Sequence, residues 1–445
     1  MTRLSSLDGS PRLARLARPL VGADSDYDAL VELIGEARVT LIGEASHGTH
    51  EFYRERIRLT RRLIEERHVT VIGIEGDWPD AYRVNRYVLG LSDDADAESA
   101  LRGFQRFPTW MWRNRDVLAF VEWLRAYNDT REPADKVRFY GLDLYSLATS
   151  IEAVIDYLEG VDPPAARRAR SRYACFDHVD AEGQAYGYEL ATGRLDTCED
   201  EVVAQLLDLR EKADDYLAFD GLAAEDEQFY AEQNARLVHN AETYYRTMYR
   251  ADVSSWNLRD RHMVGTLESL LEHFDARWAP TRAVVWAHNS HVGDARATDM
   301  GQRGEVTLGR LARERFGTDA YLIGLTTYTG EVSAASDWGG PTERKRVREA
   351  RTSSQEWALH AVGLDAFWIA TDDLADTREF PARLERAIGV IYRPDTELQS
   401  HYFMANLSTQ FDAVIHLDRT SALVPLDHTS LWERGEPAET YPTGL

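Results

Sequence analysis

Short, unbroken apolar runs recur along this chain, and several stop at a glycine, a carboxylate or a histidine. The clearest are residues 38–43 (RVTLIG), 69–74 (VTVIGI), 137–144 (VRFYGLDL), 282–287 (RAVVWA) and 320–325 (AYLIGL), with 367–370 and 411–417 near the end. Their apolar residues are consecutive rather than alternating, the pattern of strands covered on both faces. Helical periodicity lies between them, at 50–67, 79–89, 115–128 and 258–277. Strands alternating with helices predict an α/β fold, with a mostly parallel central sheet flanked by helices. Residues 151–274 break this rhythm, with helical windows such as 199–218 and 226–249 and a Pro-Pro step at Pro163 and Pro164. That stretch is read as a largely helical insertion, or cap, on the α/β core. Residues 1–24 read as an N-terminal extension with tail-like mobility.

The formal net charge of −24 repels phosphate backbones and argues against nucleic acid as a partner. No run nears the roughly 20 apolar residues that a membrane-spanning helix needs, and the first residues lack the apolar core of a signal peptide. The two cysteines, Cys175 and Cys198, have no metal-type spacing; they exclude a disulfide framework and a zinc-thiolate site, and fit a cytoplasmic location.

In open α/β sheets, ligands bind at the carboxyl ends of the strands. The polar residues placed there are Glu44 and His47 after the first run, Glu75 and Asp77 after the second, Asp143 at the third, and His288 and His291 after the fourth. Glu44 lies close enough to His47 to orient its imidazole and make the other ring nitrogen a better base. Gly43 and Gly48 are read as easing a tight turn. Arg56 lies four residues after Phe52 and three before Leu59 on the apolar face of its helix. A guanidinium aimed at a core needs a carboxylate, and Glu44 or Glu75 would serve. Glu75 ends a buried strand, where a carboxylate is costly unless it is paired or used. Asp77 is expected to cap the helix opened by Pro79. His288 and His291 read either as a metal pair or as a catalytic histidine with a supporting one. There is no Gly-x-Ser-x-Gly elbow, phosphate loop or dinucleotide turn, so no cofactor is implied.

Taken together, Gly43-Glu44-Ala45-Ser46-His47-Gly48, Ile74-Glu75-Gly76-Asp77, Phe107-Pro108-Thr109-Trp110-Met111-Trp112, Tyr140-Gly141-Leu142-Asp143, Trp286-Ala287-His288-Asn289-Ser290-His291 and Thr327-Tyr328-Thr329-Gly330-Glu331 resemble the erythromycin esterase family. The resemblance runs over about residues 25–425 and implies one catalytic α/β domain with helical additions and a deep cleft. It implies metal-independent opening of a macrolide lactone, with His47 as general base. Glu44, Glu75, Arg56 and His288 are the matching essential residues, and His291 occupies a supporting position.

On this basis His47 is expected to deprotonate water, with His288 or Arg56 stabilising the oxyanion and Glu75 holding Arg56 or positioning the water. Trp110 and Trp112 are candidates for an apolar wall around a small-molecule ester, with Asp143, Tyr328 and Glu331 at the rim. Two alternatives stay open. One is a metal-dependent hydrolase using the histidines and glutamates as ligands. The other is a biosynthetic relative acting on a different ester, amide or sugar-containing product.

Overall fold

A computed structural model describes residues 11–176, 184–213, 216, 222–248, 252–278, 280–374 and 381–435. The strands are β1 (Arg18–Pro19), β2 (Val39–Ile42), β3 (Val69–Asp77), β4 (Arg138–Asp143), β5 (Arg282–Trp286), β6 (Ala320–Ala334), β7 (Glu343–Val347), β8 (Ala366–Ala370), β9 (Arg383–Arg386), β10 (Tyr402–Ala405) and β11 (Ala413–Thr420). The main sheet runs β1-β8-β11-β6-β2-β5-β3-β4, with β7 added on β6, while β9 and β10 form a separate ribbon. From β11 across to β4 every pairing is parallel. The additions β8, β1 and β7 are antiparallel. This is a mixed α/β fold with a large, mostly parallel central sheet flanked by helices.

The unbroken apolar runs are explained by two cores, one on each face. Along β5, Ala283, Val285 and Ala287 pack into the first core, together with helices Leu147–Val161, Pro163–Tyr173, Leu222–Met248 and Asp252–Asp275. Val284 and Trp286 pack into the second, under helices His50–Arg67 and Arg115–Asn128. Each such fully buried aliphatic or aromatic side chain stabilises the fold by roughly 1.5–3 kcal/mol, so neither face tolerates a polar strand residue without a partner.

Several expectations need correction. Strand β6 continues from Leu325 to Ala334 through Thr326-Thr327-Tyr328-Thr329-Gly330-Glu331, because β11 pairs along it as far as Gly330 and β7 pairs with Gly330–Ala334. Charged β7 (ERKRV) is an outer strand, where lysine and arginine discourage further pairing. Residues 11–24 are not a loose tail: Leu13 is buried, and β1 pairs with β8. Residues 1–10 lie outside the described residues, as do 214–215, 217–218 and 249 of the two expected helical windows. The observed helices there are Glu199–Glu211 and Leu222–Met248. Cys175 and Cys198 are joined by a disulfide inside the helical region, with Cα atoms 6.0 Å apart. That pairing removes the argument for a reducing compartment. Among the described residues, no helix is long and apolar enough to cross a membrane.

Candidate active site

Sheet register decides which side chains meet. Ile42, Trp286, Ile74 and Gly141 lie in one row across β2, β5, β3 and β4. Glu75 is one residue past that row, and Glu44, His288 and Asp143 are two past it. Between Ile74 and Asp77 the β3–β4 register shifts; such a bulge re-aims a side chain at a strand end. Four neighbouring strands thus deliver Glu44, His47, His288, Glu75 and Asp143 to one rim.

The Glu44–His47 loop is held from several sides. His47 N donates to the Ile388 carbonyl at 3.3 Å, and Ile388 N to the Ala45 carbonyl at 2.8 Å. The Tyr53 hydroxyl donates to the His47 carbonyl at 3.1 Å. The two glycines here serve crowding rather than a left-handed turn, since neither has a positive φ. A Cβ on Gly43 would lie 2.1 Å from Asn289 Oδ1, and one on Gly48 would lie 1.8 Å from the Ser333 carbonyl oxygen.

His47 Nδ1 lies 2.9 Å from Glu44 Oε1. The other carboxylate oxygen, Glu44 Oε2, forms an ion pair at 2.7 Å with Arg56 Nη2. A carboxylate accepts, so His47 donates through Nδ1 and keeps a lone pair on Nε2. His288 is the reverse. Its Nδ1 accepts from Ser290 N at 3.2 Å and lies 2.8 Å from Ser290 Oγ, which places the ring proton on Nε2. The Ala45 carbonyl faces that ring, but His288 Nε2 closes no hydrogen bond of good geometry. Burial first, then the nearby His47, pushes the His288 pKa down to about 3. The two rings are 4.9 Å apart. One presents an acceptor and the other a donor.

Glu75 Oε2 accepts from His288 N at 2.8 Å, and Oε1 accepts from Arg259 Nη2 at 2.7 Å. His47 Nε2 is 4.0 Å from Oε1, and His291 Nε2 is 3.5 Å from it. Burial acts to raise the Glu75 pKa, but His291, Arg259, His47 and the His288 amide outweigh it and hold the carboxyl well below its usual range. Asp143 is likewise lowered against its burial, chiefly by Arg259. His291 Nδ1 meets Asp260 at 2.9 and 3.0 Å, and its ring stacks on Trp256 at 4.4 Å.

These groups open onto a cavity of about 320 Å³ whose wall includes His47, Glu75, Asp143, Arg259, His288 and His291. Phe104, Phe107, Met111, Trp112, Tyr145, Trp256 and Trp338 supply its apolar surface. Asp77 heads its helix without a side-chain cap bond; Arg106 grips it instead at 2.8 and 3.2 Å.

Not every candidate reaches the cavity. Arg56 is fully buried behind Glu44, over the rings of Tyr53 (4.4 Å) and Trp286 (5.2 Å). It therefore pairs with Glu44 rather than Glu75, and does not face the space where an oxyanion would form. Trp110 is buried in the second core, and only Trp112 of that pair meets the cavity. Tyr328 stacks on His360 at 3.7 Å and reaches Glu349. Glu331 is exposed beside it on a separate surface cleft. Among the described residues, no three His, Cys, Asp or Glu side chains are arranged to hold a metal ion.

Arg259, Asp260 and Trp256 escaped the sequence reading. The signal was present: Trp256, Arg259, Asp260 and Met263 share one helical face, the same spacing argument that singled out Arg56.

An α/β sheet carrying paired histidines and glutamates at the carboxyl ends of its strands has the layout of a hydrolase. By its match to the erythromycin esterase profile over residues 64–420, the chain belongs to the erythromycin esterase family. It is 21% identical over 413 residues to erythromycin esterase type II of Escherichia coli, covering 89% of this chain and 93% of that one. It is also 21% identical over 433 residues to the putative hydrolase YbfO of Bacillus subtilis, covering 93% and 91%. Among solved structures, a succinoglycan biosynthesis protein superposes with a TM-score of 0.77 at 20% identity, over 95% of this chain and all of that one. A histidine-to-asparagine mutant of the erythromycin esterase EreC, in its open conformation, superposes at 0.66 with 18% identity, over 92% and 96%. These structures share the fold.

Proposed function

We propose that this chain is a carboxylic ester hydrolase in which His47, oriented by Glu44, activates water without a metal. The observation that carries this reading is the opposed pair of imidazoles. His47 presents its Nε2 lone pair at the cavity wall, and His288, 4.9 Å away, carries its proton on a buried Nε2 that faces the Ala45 carbonyl without closing a hydrogen bond of good geometry. A water seated between His47 Nε2 and Glu75 Oε1 gives its proton to His47 as its oxygen attacks the carbonyl carbon. The carbonyl π electrons become an oxyanion, which accepts from His288 Nε2–H. Collapse of this intermediate breaks the ester C–O bond, and the leaving alkoxide takes the proton back from His47. One ester and one water give one acid and one alcohol.

Metal independence is supported by the donor set. Arginines and histidines already engage Glu44, Glu75 and Asp143, which leaves no bare carboxylate cluster for a cation. The proposed substrate class is supported by relatives named as erythromycin esterases and by an aromatic cavity wall suited to an apolar ring. A macrolide lactone is the first substrate to try. Mass spectrometry of the protein incubated with a fourteen-membered macrolide, with and without chelator, is expected to show the drug gaining one water in both arms. His47→Ala should lose that activity by about 10²–10⁴-fold. Full activity in His47→Ala, or loss with chelator, would overturn the mechanism. Unchanged drug in the wild type would move the substrate to other lactones and esters, with the same His47 control.

A further inference from the structure

Arg259 is the group through which the helical region between β4 and β5 reaches the catalytic rim. It lies on the helix Asp252–Asp275, far in sequence from every residue it binds. Nε and Nη2 clasp the two oxygens of Asp143 at 2.9 and 2.6 Å. Nη2 also donates to Glu75 Oε1 at 2.7 Å, and Nη1 to His291 Nε2 at 2.9 Å. The Tyr145 ring lies 4.9 Å from the guanidinium carbon. A guanidinium can only donate, so the neutral form of His291 accepts at Nε2; Asp260 and then Glu75 raise the His291 pKa against its burial, and the protonated ring is the form that lowers Glu75. In the neutral form the His291 proton sits on Nδ1 and is given to Asp260, which is itself fixed by Leu308 N at 2.6 Å. Only a planar fork with donors on three nitrogens spans these partners; a lysine presents one point of charge.

We propose that Arg259 is a positioning residue of this site: it holds Glu75 as an ionised acceptor and His291 as the Nδ1–H tautomer, and so ties seating of the helical region to assembly of the hydrolytic centre. This rests on the esterase reading only for the activity measurement below. The groups facing Glu75 are His47 and Tyr53 from the first loop and helix, Asp143 from β4, His288 and His291 after β5, and Arg259. Of the cations among these, Arg259 alone is charged whatever the pH. Without it, only imidazoles, His291 first, oppose burial and the like charge of Asp143, so the proton affinity of Glu75 rises.

Infrared spectroscopy reads that proton directly and needs no substrate. In Arg259→Gln near neutral pH, a protonated-carboxyl band is expected in addition to the one Glu385 already gives in wild type, and a further Glu75→Gln change should remove the added band. Hydrolysis of 4-nitrophenyl acetate gives the second readout. In Arg259→Gln the acid limb of kcat/KM should move up by at least one pH unit, and adding Asp143→Asn should bring it part of the way back. If Arg259→Gln does not fold, Arg259→Lys is the test, with no new band, an unmoved acid limb and kcat about tenfold lower. An unchanged infrared spectrum in Arg259→Gln, or full kcat in Arg259→Lys, would overturn the proposal. An inactive wild type would count against the esterase reading alone, because the infrared measurement still reports on Arg259.

Discussion

Two pairs of carboxylates are buried in this protein, and their pKa values move in opposite directions. Glu75 and Asp143, at the rim, are 5% and 3% exposed; Glu356 and Glu385, behind it, are fully buried. The rim pair shares Arg259, and its pKa values fall. The rear pair has no such clasp. Glu356 accepts from Arg386 N at 2.7 Å, and Glu385 lies 3.5 Å from Asn289 Nδ2, yet each keeps one oxygen without a hydrogen bond. The Arg386 side chain is directed elsewhere, to Tyr402, Glu397 and the carbonyls of Tyr328 and Arg348. Burial, and then Glu356, push Glu385 up to about 8. The difference lies in the supply of guanidinium donors rather than in depth. Asn289, the residue after His288, touches the rear pair and also donates its backbone N–H to the Glu44 carbonyl at 2.8 Å. A carboxyl pair raised by burial therefore backs a rim pair lowered by its cationic partners.

The sharpest way to break the contrast is to turn a rim carboxylate into a rear one. Arg56→Met removes the guanidinium that, among the described residues, pairs with Glu44, itself 1% exposed. Breaking one half of a buried ion pair costs about 3–5 kcal/mol. A loss of that size is expected in denaturant unfolding, together with at least a tenfold drop in ester hydrolysis as the orientation of His47 loosens. A stability change within experimental error would mean that the ion pair carries no weight.

Titration of stability gives the next effect, and the two regions contribute with opposite sign. Glu75 is lowered in the fold, so its contribution is present above the ordinary glutamate pKa and is lost as pH falls. Glu385 is raised from 4.5 to about 8. Its contribution is complete below pH 4.5 and is lost as pH rises through about 8. Glu385→Gln should flatten the decline between those values and make the protein more stable than wild type above pH 8, by on the order of a few kcal/mol. An unchanged slope would show that Glu385 is ionised in the native state and that the contrast fails.

How much of this was legible beforehand differs between the two regions for a physical reason. The sheet announced itself because strands covered on both faces must be apolar throughout. Glu44, Glu75, Asp143 and His288 stood out as the polar residues that end such runs. Arg56 was legible from helical spacing alone, although its partner was not, because spacing gives a direction and not a distance. The rear pair was hidden. Glu385 lies on a short strand outside the main sheet, among Arg383, Leu384 and Arg386, and nothing in that alternation signals full burial. Arg259 was hidden by its setting in a long charged helix: spacing puts it on one face with Trp256 and Asp260, but does not show that this face meets His291 at the rim. Tyr328 entered with the family motif rather than from spacing: β6 does not end before it, so the residue travels along the strand past the rim.

Tyr328 supplies the smallest effect and the control for the others. Its ring stacks on His360, its carbonyl accepts from Arg386 at 3.2 Å, and its hydroxyl makes only an exposed contact to Glu349 at 3.3 Å. Tyr328→Phe removes the hydroxyl and leaves the ring and the carbonyl in place. Exposed polar contacts of this kind change stability by about 0.5 kcal/mol or less. Stability, its slope from pH 4.5 to 8, and kcat/KM should therefore all stay at wild-type values. If kcat/KM falls several-fold while stability holds, the hydroxyl reaches substrate, and the site must extend past β6 beyond the cavity. If instead the pH slope changes, Tyr328 acts through Arg386 on Glu356 and Glu385, and the rear region is set by more than its own missing partners.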